Sequence, residues 1–387
     1  MKVVTNCIKL VLVLALSFLL YPSRTLAQHY TQTNLVSDIV GAAPVHDPNL
    51  INPWGLSRSS GGPWWVSDNN SGDSTLYNGT GQVIPINGNG IVTIPPPKNA
   101  PAGFVSSPTG IAFNGSTEFV LPLPNGKPAV FIFATEDGTI SAWNGGPSAF
   151  LVVDNNDNGS PNGAVYKGLT TADLNGQKFL YVTNFRAGRV EVYDTNFNLV
   201  KLPDEAFDPG ADGDHDGDDG RASQRIPPGF APFNIQNVGG SLFVTYARQD
   251  ATRHDDVGGD GNGYVEIFTP SGKHIGHLEH GSWLNSPWGV VWTPRDFGVF
   301  SNTILVGNFK SGWIAAFNGF TYKFIGFVKN PDDSLLTIDG LWSLTFGNGA
   351  TAGPSTTLYF TAGPDSESHG LLGTLTPIAA ESDGSVE

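Results

Sequence analysis

One short pattern recurs along this chain, and its spacing constrains the fold more than any other feature. A small or turn residue, often followed by Pro and an aromatic, precedes Gly and an apolar strand. The copies read Asn52-Pro53-Trp54-Gly55-Leu56, Ser107-Pro108-Thr109-Gly110-Ile111, Tyr166-Lys167-Gly168-Leu169, Ala231-Pro232-Phe233-Asn234-Ile235, Ser286-Pro287-Trp288-Gly289-Val290 and Leu341-Trp342-Ser343-Leu344. The Gly or its equivalent recurs at intervals of 55, 58, 66, 55 and 54 residues. The one long interval contains the acidic stretch Asp208–Gly220, and without those 13 residues it shrinks to 53. Six copies of a unit that cannot bury its apolar face alone define a repeat architecture.

Each copy carries the same strands. A second strand follows the anchor at Trp64–Ser67, Val130–Ala134, Phe179–Thr183, Leu242–Thr245, Ile304–Gly307 and Leu358–Thr361. A third follows at Thr75–Tyr77, Thr139–Trp143, Arg189–Tyr193, Tyr264–Phe268, Trp313–Phe317 and Leu371–Leu375. A fourth, more exposed strand shows in most units, as at Ala149–Val153 and Tyr322–Val328. These are short alternating runs rich in Val, Ile, Phe and Tyr between Asn-Gly, Gly-Gly and Ser-Gly turns, with no helical periodicity between them. Four antiparallel strands per unit, six times over, predict an all-β, six-bladed β-propeller. The last unit stops after its third strand, and Leu35-Val36-Ser37-Asp38 resembles Leu151-Val152-Val153-Asp154 of a fourth strand. The N-terminal strand is therefore expected to close the ring, leaving no free sheet edge.

The flanks differ in kind. Lys2 and Lys9, an apolar run from Leu10 to Leu20 and Thr25-Leu26-Ala27 have the form of a secretory signal peptide cleaved near Ala27. The expected organisation is residues 1–27 as signal peptide, 28–378 as propeller and 379–387 as a flexible acidic tail. The sole Cys, Cys7, leaves with the leader, so a disulfide framework and a thiol nucleophile are excluded. Twenty bases against 35 acids give a net charge of −15, and removal of the leader makes it −18. That balance argues against nucleic acid or an anionic membrane as partner. After the leader no stretch looks membrane-spanning, so the expectation is a secreted, periplasmic or extracellular protein that is not integral to a membrane.

The anchors Asn52-Pro53-Trp54-Gly55 and Ser286-Pro287-Trp288-Gly289, with Ala231-Pro232-Phe233-Asn234-Ile235-Gln236 and Arg248-Gln249-Asp250, resemble those of a secreted bacterial family of NHL-like six-bladed propellers. The resemblance covers nearly all of the chain after the leader. Some members of that family carry a PEP-CTERM sorting tail; here the Pro-Glu-Pro signal is missing, and the Asp208–Gly220 insert departs from the usual pattern. The resemblance implies the fold and leaves the activity open.

In a propeller, the loops after second strands open on the same face as the connections between blades. That face receives Asp68 and Asn69, Glu136, Asn184 and Arg186, Arg248 and Asp250 with the stretch to Asp256, Asn308 and Lys310, and Asp365 through His369. The ligand-binding face is assigned to Asp68, Asn69, Asn184, Arg186, Arg248, Asp250, Asn308 and Lys310, since propellers bind around the channel. Trp54, Trp288 and Trp342 share the repeat position of Phe233, which favours packing between blades over sugar stacking.

Residue types offer two candidate metal sites, each with a competing reading that needs no metal. Asp212, Asp214, Asp216 and Asp218 alternate, with Gly217 sixth in the loop, as in a Ca²⁺-wrapping loop. Ser223 stands where a full EF-hand loop has its bidentate Glu, and a solvated acidic loop is the competing reading. His254, His369 and Glu136 are the candidate catalytic residues, able to hold Zn²⁺ with an open position if their loops converge. No HxH or HExxH spacing ties them together, so separate exposed loops remain the alternative. His274, His277 and His280 lie on or just after an outer strand, where a spacing of three does not put side chains on one face. No Gly-x-Ser-x-Gly elbow or phosphate-cradling loop is present. The leading expectation is a secreted binding protein, with Ca²⁺, for an extracellular or envelope protein, glycan or small ligand. The alternative is a metal-dependent lyase or hydrolase at the channel, and a third is a structural envelope component.

Overall fold

A computed structural model describes residues 29–157, 162–210 and 226–378. The sheets follow one another in chain order around an axis. Pro53–Arg58, Trp64–Asp68, Asp73–Tyr77 and Ile91–Thr93 form blade 1. Pro108–Phe113, Phe131–Thr135, Thr139–Trp143 and Phe150–Asp154 form blade 2. Blade 3 is Tyr166–Leu174, Gln177–Asn184 and Arg189–Tyr193, with its outer edge reduced to a bridge between Tyr193 and Leu199. Phe230–Val238, Ser241–Arg248, Gly263–Phe268 and His274–His277 form blade 4, and Pro287–Trp292, Thr303–Asn308, Ile314–Asn318 and Phe324–Phe327 form blade 5.

Blade 6 closes the ring as expected. Its strands Leu341–Phe346, Leu358–Ala362 and Leu371–Pro377 are joined by the N-terminal strand Tyr30–Ser37, which pairs antiparallel to Leu371–Pro377. Val45–His46 then adds a short parallel fifth strand. The described residues contain no regular α-helix: Pro364–Glu367 is one turn whose Asp365, Ser366 and Glu367 have φ of 53, 55 and 67°.

The recurring anchor is a β-bulge. In every blade the innermost strand slips register over these residues, for example from Pro53 opposite Asp68 to Leu56 opposite Val66. A bulge adds one residue and re-aims a side chain. Here Trp54, Phe233, Trp288 and Trp342 gather in one apolar cluster with Phe185 and Phe309. Trp54 stacks on Trp342 at 3.7 Å between ring centroids, and Trp288 meets both edge-on at 5.2 Å. They plug the axis, so blade-to-blade packing is their role.

The anchor glycines have a steric reason. A Cβ on Gly55 would lie 2.5 Å from Thr109 O, one on Gly110 2.7 Å from Leu169 N, and one on Gly289 2.8 Å from Leu344 N, each in the following blade. Where the position is not Gly, its side chain bonds onward: Asn234 Nδ2 donates to Trp288 O at 2.9 Å, and Ser343 Oγ donates to Trp54 O at 2.7 Å. The rest of the apolar core forms six clusters, each spanning two adjacent blades.

One expectation fails for a local reason. His274–His277 pairs with Gly263–Phe268 through a bulge: Phe268 faces His274, Ile267 faces Gly276, and Glu266 faces His277. The extra residue, Ile275, turns a spacing of three into an effective two, so His274 and His277 share a face with Glu266. His280 is separate, stacked on Tyr264 at 4.2 Å.

Candidate functional site at the channel mouth

The axial plug is interrupted at one repeat position by a charge. Lys167 stands where four blades carry Trp or Phe and blade 2 carries Thr109, and it is 1% exposed. Its Nζ lies 4.9 Å from the Trp54 ring centroid, 5.6 Å from Phe185 and 5.9 Å from Phe233. A buried ammonium needs a counter-charge. Glu136, directly after the second strand of blade 2, pairs closely with it, and Asp255 Oδ1 from the blade 4 loop lies 3.7 Å away. Asn69 Nδ2 fixes the other Glu136 oxygen at 2.9 Å.

Above this pair is a cavity of about 400 Å³ with Trp54 and Phe309 in its wall. Asp255, Asp256, Asp339, Glu367 and Lys310 reach it from loops on the face expected to carry ligands. Lys310 Nζ is 3.7 Å from Asp256 Oδ1 and 4.2 Å from the Phe309 centroid. The rest of the Asp256 carboxylate is buried beside the Ser286 hydroxyl. Glu367 is presented by the left-handed turn Asp365-Ser366-Glu367. Successive non-Gly residues in that region cost about 1–2 kcal/mol each, and such strain concentrates at functional sites.

Environment separates the acids. Burial pushes Glu367 up to about 7, helped by the Glu136 charge and opposed by Lys310 and Lys167. Burial also raises Asp256, and lifts Asp137 to about 6. The hydrogen bond from His254 holds Asp255 down at about 2, and the same 2.9 Å contact raises His254. At neutral pH the cavity therefore has a carboxyl near its midpoint, Glu367, beside a firmly ionised one, Asp255.

Of the residues assigned from sequence, Asn69, Glu136, His254 and Lys310 come together here. Glu136, His254 and Asp255 each offer a ligand atom within 4.8 Å of the others. Lys167 already supplies a cation to both carboxylates, so a divalent ion there must displace its ammonium. His369 does not join them: its Nδ1 lies 2.8 Å from Asp38 Oδ2, beyond the end of the closing strand. Asp68, Asn184 and Asn308 occupy equivalent second-strand ends, buried and holding their own loops. Asp68 Oδ2 accepts from Thr75 N and Oγ1 at 2.9 and 2.8 Å, and Asn308 Oδ1 accepts from Asn285 N at 2.8 Å. Asn184 Nδ2 donates to Glu191 at 2.9 Å. Asp250 caps the turn of its own loop through His254 N, and Arg186 donates to Gly163 O at 3.0 Å. Arg248 is exposed at the end of its strand. Asp212, Asp214, Asp216 and Asp218 lie outside the described residues.

Lys167 was legible in the sequence only as part of an anchor. The signal available was a lone cation at a position where four of the six copies are aromatic.

Fold and cavity together define a six-bladed propeller with an acidic pocket at one end of a plugged channel. The chain belongs to a family that includes an uncharacterised protein of Acanthamoeba polyphaga mimivirus, 30% identical over 355 residues, which are 88% of this chain and 78% of that protein. Another uncharacterised mimivirus protein is 30% identical over 341 residues, covering 85% of this chain and 81% of its own length. No protein-family model matches the chain. Among solved structures, a Bacteroides thetaiotaomicron protein of unknown function superposes with a TM-score of 0.50 at 9% identity, covering 90% of this chain and 76% of that one. Virginiamycin B lyase from Staphylococcus aureus gives a TM-score of 0.44 at 12% identity, covering 90% and 99%. These structural likenesses concern the fold. No helix among the described residues is long and apolar enough to cross a membrane.

Proposed function

We propose that this chain is a ligand-binding propeller that takes a small polar ligand carrying a protonated amine into the channel mouth. The observation behind this reading is the charge of the cavity wall: Asp255, Asp256, Asp339 and Glu367 outnumber Lys167 and Lys310. Lys167 is already engaged by Glu136 and Asp255, and Lys310 by Asp256, which leaves Glu367 and Asp339 on the cavity wall without a paired cation. A volume of about 400 Å³ suits a small ligand rather than a polymer segment. The test is thermal-shift and calorimetric titration with amines and amino sugars, each beside its neutral hydroxyl counterpart. The expected result is binding of the amine forms only, weakened in Glu367→Gln and Asp339→Asn. Equal binding of the neutral counterparts, or undiminished binding in both variants, refutes the reading.

A catalytic reading has one observation in its favour. A carboxyl near 7 at Glu367, with His254 oriented by Asp255, is the separation of acid and base that lyase or hydrolase chemistry uses. It requires turnover that His254→Ala and Glu367→Gln both abolish while ligand affinity persists.

For the flanks and insert, the support is the sequence. The chain is proposed to be exported as a member of a secreted NHL-like group, cleaved near Ala27, with Ca²⁺ ordering the loop at Asp212, Asp214, Asp216 and Asp218. An extracellular or envelope partner would then meet the acidic face. Mass spectrometry of the mature N-terminus tests export. A variant lacking Asp208–Gly220 that binds Ca²⁺ as wild type does would sink the loop assignment.

A further inference from the structure

A second cluster lies away from the channel, in the seam between blades 3 and 4. Glu266 on the third strand of blade 4 is 1% exposed, and its neighbours on that face, Val244, Tyr246 and Phe268, belong to the seam's apolar core. Its Oε2 lies 2.8 Å from His274 Nε2, while its Oε1 is buried with no partner among the described residues. The bulge between Phe268 and His274 brings His277 to the same face, directly opposite Glu266. One ligand atom from each of Glu266, His274 and His277 lies within 4.8 Å of the others.

Blade 3 provides an internal control. Glu191 occupies the equivalent place, opposite Val182 as Glu266 is opposite Val244. There both oxygens are fully used: Oε1 accepts from Asn184 at 2.9 Å and from Arg189 Nη2 at 2.7 Å, and Oε2 accepts from the Tyr166 and Tyr193 hydroxyls at 2.8 and 3.0 Å. The fold therefore can satisfy a carboxylate at this position with protein donors. In blade 4 it supplies two imidazoles instead and leaves one oxygen bare. An orphaned buried carboxylate oxygen is destabilising unless something else meets it.

We propose that Glu266, His274 and His277 form a binding site for a divalent transition-metal ion of the zinc class, pinning the outer strand of blade 4 to its neighbour. Two imidazoles and one carboxylate are a ligand set that Zn²⁺ takes, with a fourth position left to water or another oxygen. Donor atoms around a tetrahedral ion with bonds of about 2.0–2.1 Å sit roughly 3.4 Å apart. The donor atoms, within 4.8 Å of one another, close to that spacing on binding. The ion replaces the proton between Glu266 and His274 and meets the bare oxygen, so one event answers both features.

The test is titration of the purified, chelator-treated protein with Co²⁺, read by its visible d–d absorption, followed by displacement with Zn²⁺. One saturating equivalent with the strong bands of a four-coordinate ion is expected. His277→Ala, at a partly exposed position, and the isosteric Glu266→Gln should each weaken binding by at least the roughly 10–100-fold seen when a mere outer-shell partner is lost. His254→Ala should bind as wild type does, which separates this site from the channel. Circular dichroism melting establishes that each variant is folded. The proposal is overturned by the absence of saturable binding, by unchanged binding in His277→Ala, or by loss of binding in His254→Ala.

Discussion

Lys167 is the point where the axial plug is most exposed to a decisive perturbation. Lys167→Met keeps the length and the apolar stem but removes the charge. Glu136, whose side chain is 11% exposed, then faces an aromatic floor with only Asn69 as partner. Removing one member of a buried ion pair destabilises by about 3–5 kcal/mol. Asp255 adds little to that figure, because its side chain is 67% exposed and solvent screens it. Unfolding entropy of about 2.1 cal/mol/K per residue over the propeller converts the loss to a fall in Tm of about 4–7 °C. Glu136→Gln should produce a comparable loss. In the double variant both charges are gone, and replacing a buried pair by neutral groups of similar shape is often close to neutral. Most of the stability should therefore return, less the ~2 kcal/mol of a desolvated cation–π contact with Trp54. Urea and thermal unfolding of the four proteins at neutral pH measure the cycle. Additive losses, with the double variant worse than either single one, would refute the pairing argument.

The pH dependence of stability has a definite sign. Glu367 and Asp137 have folded values raised to about 7 and about 6, so the stability they contribute is present below about pH 4 and is lost as pH rises through those values. Asp255, held at about 2, acts oppositely, its contribution being lost as pH falls from about 4 toward 2. Tm should be higher near about pH 5 than near about pH 7.5, and Glu367→Gln should flatten that fall; a Tm that climbs across the interval contradicts the assignment. Gly168→Ala should destabilise by about 1–3 kcal/mol or more, because the new Cβ would overlap the Asn234 side-chain oxygen and lie 2.7 Å from its Cα. The Asn234 bond to Trp288 leaves that side chain no room to retreat, so a wild-type melting temperature in this variant would count against the interlock.

The blades were legible because propeller strands are short, alternate regularly and repeat, and because the closing strand copies a fourth-strand motif. The reason for the anchor was not legible. Its Gly looks like a turn residue, but the structure shows a bulge packed so tightly on the next blade that a Cβ at Gly55, Gly110, Gly168 or Gly289 would come within 2.8 Å of a neighbouring atom. The face onto which the loops after second strands open was legible from strand order alone, since loop placement follows from antiparallel pairing. Which side chains on that face point to the axis was not. Asp68, Asn184 and Asn308 look like ligand groups in sequence and turn inward to hold loops, because a polar residue at a buried strand end must find a local partner. The spacing rule failed at His274 and His277 because a bulge changes the period by one, and no local residue pattern announced it.

A ring of near-identical blades marks its specialised places by departing from its own repeat. At the axis, four blades contribute an aromatic, blade 2 contributes Thr109, and blade 3 alone contributes a charge. Lys167 places that charge where it cannot be solvated, and the adjoining loops must answer it. Glu136 from blade 2 and Asp255 from blade 4 do so, and Asp256 then requires Lys310. One cation in one repeat thus gathers acids from two blades to one rim of the axis and makes the face asymmetric. The seam follows the same logic. Glu191 and Glu266 stand at the same register, yet one is fully bonded and the other is not, so the difference lies in what each blade brings to the carboxylate. Neither contrast depends on a motif. Both follow from comparing a repeat with its neighbours and asking which buried charge lacks an answer.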